Sequence, residues 1–367
     1  MLRIFLFILG AIGVLAIAAA ALVSQPSFGR LPRGERRQRI ERSPNFRDGA
    51  FRNRQPTPLM TSGKGRIRTM LGFLFGRRPA NLRPASPFPA VKTDLTALDT
   101  NRELLVWFGH SSYLIQTGGR RLLVDPVFVA ASPFGFVNKP FPGTAIYRPE
   151  EMPPVDYLLI THDHWDHLDY GTVRRLRDRV GKVICPLGVG EHFERWGYPA
   201  ERLIELDWDE QADLGGGFAV RCLTARHFSG RGLRSDQTLW GSFLLDSPVQ
   251  RIYLAGDGGY GAHFAQVGSR FPDNDLAVLE NGQYNDDWRY IHTMPGFLVC
   301  EAAELGAKTV VTVHHSKYAL ARHPWDEPLE NIRRLKEQLT ARVLTPVIGQ
   351  AVDIRPEAAR QTTSENR

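Results

Sequence analysis

Three histidines and an aspartate fall within six residues, His162, His164, Asp166 and His167, in the order His-x-His-x-Asp-His. Neutral imidazole and carboxylate are zinc donors, and four of them this close demand a backbone that turns them onto one centre. The run from Val155 to Ile160 before them is apolar and β-branched and ends in Thr161. It reads as a buried strand running out into a ligand-bearing loop. A catalytic zinc keeps one position open, so two ions need about six or seven protein donors. The cluster supplies four, and the rest of the chain must bring others to the same place.

Such donors recur just past predicted strands. His227 follows the strand from Phe218 to Thr224, Asp257 follows Arg251 to Ala255 in a Gly-Asp-Gly-Gly-Tyr stretch, and His314 follows Thr309 to Val313. Strand ends along one sheet edge are where ligand groups gather. Each residue alone is ordinary; together they match what a two-ion site requires.

The remaining elements fit that frame. Leu104 to Phe108 is a predicted strand, and Tyr113 to Gln116 and Arg121 to Val124 form a hairpin around Gly118-Gly119. Lys182 to Cys185 and Leu276 to Leu279 are further strands, while Tyr170 to Val180, Pro295 to Leu305 and Pro328 to Leu339 read as helices. Strands first in meander order and then alternating with helices imply two sheets sandwiched between helical layers. The 367 residues have the 43% hydrophobic and 23% charged composition of a folded protein. Cys185, Cys222 and Cys300 form no Cys-x-x-Cys pair, which argues against a disulfide framework or a cysteine zinc cluster and for three core fillers.

The charge is uneven. Residues 30–83 hold fifteen Arg or Lys against Glu35, Glu41 and Asp48, and Arg3 adds one more positive charge, so the formal +7 of the chain leaves −6 from residue 84 onward. An acidic catalytic body argues against a nucleic-acid enzyme, and a basic segment fits anionic lipid. Ile4 to Val23 is uncharged and long enough, at about 30 Å as a helix, to cross a bilayer. Residues 1–24 are therefore either a single-pass anchor, of unassigned sidedness, or a signal segment cleaved on export. Residues 25–102 form a Pro/Arg-rich arm that wraps the domain or links it to the membrane. Within it, Arg66 to Arg78 is either a short interfacial helix or one packed on the domain. The hydrolase domain spans 103–350, and 351–367 is a polar tail.

The His-x-His-x-Asp-His signature, with residues 103 to 350 around it, resembles the metallo-β-lactamase fold superfamily. Trp107-Phe-Gly-His-Ser111, Asp125-Pro126, Trp240-Gly-Ser242, Ala255-Gly-Asp-Gly-Gly-Tyr260 and the segment from Val313 are similar to the N-acylphosphatidylethanolamine-hydrolysing phospholipase D group. The resemblance implies an α/β four-layer αβ/βα sandwich of two mixed sheets. It implies one Zn2+ on His162, His164 and His227, a second on Asp166, His167 and His314, and Asp257 bridging both. Asp125 would support the ligands, and His292 would face substrate, although a surface histidine ahead of a helix is the plain alternative. His110 is either a supporting donor or a core histidine, and Arg231 either holds a phosphate or is solvated. The role of His315 is open.

The expected activity is that of a zinc-dependent phosphodiesterase of phospholipase D type, using a metal-bridging hydroxide. Asp166, Asp257 and His292 would be catalytic, and no Ser or Cys nucleophile is needed. Expected partners are a phospholipid or phosphodiester substrate and a membrane surface, with a homodimer as one possible state. The alternatives are a lactonase, a phosphodiesterase on a soluble phosphorylated metabolite, or a metal-binding membrane regulator without turnover.

Overall fold

In the computed structural model, residues 1–61, 63, 72, 76 and 79–356 are described. The predicted helix of Arg66 to Arg78 and residues 357–367 of the expected polar tail lie outside the described residues; the start of that tail is instead part of the domain, since Ala351–Asp353 pairs with Leu104–Val106 and Ile354 enters the core. Helix α1 spans Leu2–Val23, and α2 (Gly34–Arg42) and the two-stranded hairpin β1 (Phe46–Arg47) and β2 (Ala50–Phe51) follow it.

The domain proper holds two seven-stranded sheets with the same internal logic. In the first, β3 (Leu104–Trp107), β4 (Tyr113–Thr117), β5 (Arg120–Val124), β6 (Val155–Leu159), β7 (Val180–Pro186) and β8 (Leu203–Leu206) lie in chain order, with β16 (Ala351–Asp353) added beside β3. In the second, β9 (Gln211–Gly215), β10 (Phe218–Leu223), β11 (Ser242–Asp246), β12 (Arg251–Leu254), β13 (Leu276–Glu280), β14 (Thr309–Val313) and β15 (Arg342–Leu344) also follow chain order. Each sheet is antiparallel over its first part and parallel from the fourth strand on. Parallel pairs need crossovers, and helices supply most of them: α3 (Tyr170–Leu176) and α4 (Gly190–Arg195) on one side, α5 (His263–Arg270), α6 (Leu298–Glu304) and α7 (Glu327–Gln338) on the other. The β4–β5 turn places Gly118 and Gly119 at φ 53° and 78°, the left-handed pair a two-residue hairpin requires.

Side-chain alternation divides the core into three. Leu105, Trp107, Ile115, Val124 and Leu159 of the first sheet meet Val220, Phe243, Leu254, Val278 and Val311 of the second. Val106, Leu114, Leu123 and Val183 point outward under Val173 and Phe193 of α3 and α4. Leu244, Tyr253, Ala277 and Val310 do the same under Phe264, Leu298 and Leu335 of the other helices. Strands buried on both faces explain the unbroken apolar runs in the sequence. Cys185 and Cys222 fill core space as expected; Cys300 does not, and lies exposed on α6.

The described part of the arm lies on the body, as one of the two readings had it. Arg36 pairs with Glu191, Glu194 and Glu205 at 2.6–2.7 Å, Arg30 with Glu191 and Arg54 with Asp209. Ile40 and Phe51 enter the central core. These three arginines face carboxylates of the acidic body.

Candidate metal centre

The donors gather because each follows a strand running toward the same edge. His110 follows β3, Asp125 follows β5, and the cluster follows β6. In the other sheet His227 follows β10, Asp257 follows β12, Glu280 closes β13 and His314 follows β14. The backbone bends sharply there, with φ of 54° at His110, 40° at Asp125 and 69° at His314. Such left-handed non-glycine residues cost on the order of 1–3 kcal/mol each and persist where packing enforces them. His110 N donates to His315 O at 2.9 Å and His314 N donates to His110 O at 3.0 Å, which stitches the two sheets together at the site. A Cβ on Gly256 would lie 2.9 Å from that of Thr161, so only glycine lets the Asp257 loop approach the ligand strand.

His162 Nε2 and His227 Nε2 lie 2.9 and 3.2 Å from His164 Nδ1. A tetrahedral ion bound at zinc–nitrogen distances holds its donors about 3.3 Å apart, so this triad has the spacing of a zinc site. Asp257 faces it and the neighbouring group alike: its Oδ2 is 3.1 Å from His167 Nε2 and 3.9 Å from both His162 Nε2 and His227 Nε2, while Oδ1 is 3.0 Å from His314 Nδ1. Asp166 Oδ2 lies 3.7 Å from His167 Nε2. Two sets, His162–His164–His227 and His110–Asp166–His167–His314, each keep their ligand atoms within 4.8 Å of one another. His167 Nε2 and His314 Nε2 are buried without a hydrogen-bond partner among the described residues. Orphaned imidazole nitrogens beside carboxylates fit divalent cations, which would satisfy them.

Surrounding groups fix the tautomers. Asp125 accepts from Thr161 N at 2.8 Å, from Thr161 Oγ1 at 2.6 Å and from His167 Nδ1 at 2.8 Å. With its hydroxyl hydrogen committed, Thr161 Oγ1 accepts from His162 Nδ1 at 3.0 Å. His227 Nδ1 donates to Ile291 O at 2.7 Å. Each arrangement presents Nε2 to the centre. His110 Nε2 sits 2.9 Å from Asp166 Oδ2, fully buried, so it serves a ligand rather than the core alone.

Burial pushes His162, His227 and His314 well below the ordinary histidine range and His164 to about 4, which keeps them neutral. Burial raises Asp257 to about 7, opposed by His167. Burial also depresses His167, but Asp257, Asp166 and Asp125 outweigh it and raise that histidine.

His292 Nδ1 hydrogen-bonds Glu280 Oε1 and lies 4.0 Å from Asp257 Oδ2. Glu280, which sequence reasoning passed over, is 1% exposed; its Oε2 accepts from Gly258 N at 2.8 Å and Thr293 N at 3.4 Å. Its sequence signal is slight, a lone acid closing the apolar run Leu276–Leu279. One expectation is corrected and one open role is filled. Arg231 is buried, with Nη1 donating to Asp163 O and Leu168 O at 2.8 and 2.6 Å, so it braces the ligand loop and holds no phosphate. His315 binds Ser316 Oγ and Thr312 Oγ1 and packs on Trp107; it belongs to the loop and has no nitrogen for substrate.

A family model described as a beta-lactamase superfamily domain matches residues 120–315. An uncharacterized protein of Mycobacterium tuberculosis is 38% identical over 318 residues, covering 85% of each chain. N-acyl-phosphatidylethanolamine-hydrolyzing phospholipase D 1 of Caenorhabditis elegans is 28% identical over 269 residues, covering 68% of this chain and 74% of that one. Among solved structures, Igni18, a metallo hydrolase of Ignicoccus hospitalis, superposes with a TM-score of 0.52 at 20% identity over 69% of this chain and 98% of its own, a likeness of fold. The chain belongs to the metallo-β-lactamase superfamily and is a metal-dependent hydrolase of that fold.

Proposed function

We propose that the protein is a two-zinc phosphodiesterase of phospholipase D type, acting on N-acylated phosphatidylethanolamine or a closely related phospholipid. The observation that carries this reading is the His292–Glu280 pair set at the edge of the donor cluster, where a leaving group needs a proton. The similarity to a relative named for this lipid hydrolysis supports the choice of substrate. His162, His164 and His227 would hold one ion; Asp166, His167 and His314 would hold the other, with Asp257 shared. Bound there, such ions lower the pKa of water toward neutrality and draw charge from a phosphate.

The chain's own groups supply the rest. Asp125 and Thr161 hold the imidazoles in the ligating tautomer. Glu280 Oε2 accepts from two backbone amides, and Oε1 hydrogen-bonds His292 Nδ1, so this pair would hold a proton at the edge of the donor cluster. In hydrolysis, oxygen from water joins phosphorus and the P–O bond to N-acylethanolamine breaks. The departing alkoxide would take its proton from this His292–Glu280 pair, which leaves phosphatidic acid. In this reading α1 anchors the enzyme beside its substrate; it is the described helix long and apolar enough to cross a membrane. Purified full-length protein loaded with zinc should release phosphatidic acid from N-acylphosphatidylethanolamine in mixed micelles. Turnover of lactones alone would sink the lipid reading.

A further inference from the structure

The apolar helix leaves the domain at the metal centre. α1 ends at Val23, and the residues just after it are fastened onto the ligand loop. Arg195 Nη2 donates to Ser24 O at 2.6 Å, and Trp196 Nε1 donates to Pro26 O at 2.7 Å. The Phe28 ring meets Trp165, between His164 and Asp166, edge-on at 4.9 Å. Arg231 joins both partners. Its Nε and Nη2 donate to Ser27 O at 3.3 and 2.9 Å, while Nη1 holds Asp163 O and Leu168 O, the carbonyls that bracket the clustered ligands. Its guanidinium lies 4.0 Å over the Trp165 ring. His192 adds a second tie, accepting from Arg30 N at 3.0 Å and donating from Nε2 to Asp163 Oδ2 at 3.2 Å. Gly29 passes so near that a Cβ would lie 2.0 Å from His192 Nδ1.

A tether needs only a flexible linker, and burying an arginine to hold one in place is costly unless its position matters. Beside the junction is a cavity of 360 Å³ whose walls include Val23, Leu31, Arg195, Leu233 and Arg234. Leu233 is 85% exposed, an unusual setting for a large aliphatic side chain at the tip of a loop. That loop begins at Gly230, whose N donates to Asp163 Oδ1 at 2.7 Å, so it too is tied to the ligand segment.

We propose that the junction holds the bilayer surface at the mouth of the metal centre, with Leu233 entering the acyl boundary and Arg234 at the level of the lipid phosphates. The occupant of this face is a phospholipid bilayer, because α1 delivers the face to where a membrane would end. An apolar tip flanked by arginine suits that depth. The ligand loop then meets headgroups in the plane of the membrane rather than molecules from solution. The inference rests on the lipid reading for its purpose, but the placement is measurable without turnover.

The test uses full-length protein carrying Cys300→Ser, since the other two cysteines are buried. Leu233→Cys is labelled with an environment-sensitive fluorophore and reconstituted into phosphatidylcholine–phosphatidylglycerol vesicles containing a headgroup-level nitroxide lipid. Glu337→Cys, on the helical layer of the other sheet, is the reference. We expect several-fold stronger quenching at Leu233 than at Glu337, lost when a flexible Gly-Ser insert separates Ser24 from Gln25 while α1 stays membrane-bound. Equal quenching at both positions would overturn the placement, including the case where a protein partner covers Leu233. Quenching that survives the insert would overturn the role of the junction. Either result leaves the phosphodiesterase reading standing or falling on its own assay.

Discussion

The two halves of the metal centre are built in opposite ways. The first sheet delivers His162, His164, Asp166 and His167 on a single loop, braced by Asp125, Thr161 and Arg231. The second delivers His227, Asp257, Glu280 and His314 one per strand end, from β10, β12, β13 and β14, so their meeting depends on the pairing of the sheet. One half is assembled by local chain geometry. The other exists only once a whole sheet is in register.

The largest effect should come from Asp257, which faces both donor sets. Asp257→Ala is expected to drop turnover to background and cost the protein bound metal by elemental analysis, whereas His162→Ala should cost metal mainly at the three-histidine set. Full metal content in Asp257→Ala would show that the two sets bind independently of it. Next, His292→Ala should keep its metal and lose about 10²–10⁴ in kcat, the usual worth of a positioned general acid. If it emptied the centre instead, the histidine would be a ligand.

Smaller effects separate the two supporting shells. Asp125→Asn should weaken metal affinity about 10–100-fold in a chelator competition, because it braces a ligand of the first half. Glu280→Gln should leave affinity in place and lower kcat by about tenfold, at the lower end of the range for such supports. Equal losses of affinity in both would erase the distinction drawn here. Smallest in activity is Arg36→Ala: removing the arginine from a part-buried group of three carboxylates destabilises the fold, so the urea midpoint should fall while bound metal is unchanged. The hydrogen bond from Arg36 holds Glu194 below its usual value of 4.5. Its contribution is therefore complete above pH 4.5 and disappears as pH falls through the lowered folded value, and the Arg36→Ala deficit should shrink with it.

The same contrast governs what the sequence could reveal. The ligand loop was legible because its donors are adjacent, and the central strands because burial on both faces leaves unbroken apolar runs. His227, Asp257 and His314 were legible as residues following such runs. Glu280 was not, since a lone acid at a strand end has no partner in sequence; its partner His292 is twelve residues away across a loop. β8 and β9 escaped notice because short or half-exposed strands carry no long apolar signal. Arg231 was misread for the opposite reason. An arginine in a Gly-rich loop looks solvated, and only the folded chain places three carbonyl groups around it.

The central claim is cleavage of a phosphorus–oxygen bond by water at a centre shared between the sheets. It is tested most directly by running hydrolysis of N-acylphosphatidylethanolamine in 18O-labelled water with the zinc-loaded protein and analysing both products by mass spectrometry. Label in the phosphate of phosphatidic acid, and none in N-acylethanolamine, is the expected result. Label in a released fatty acid, or no product from this lipid under conditions where a lactone is opened, would contradict it.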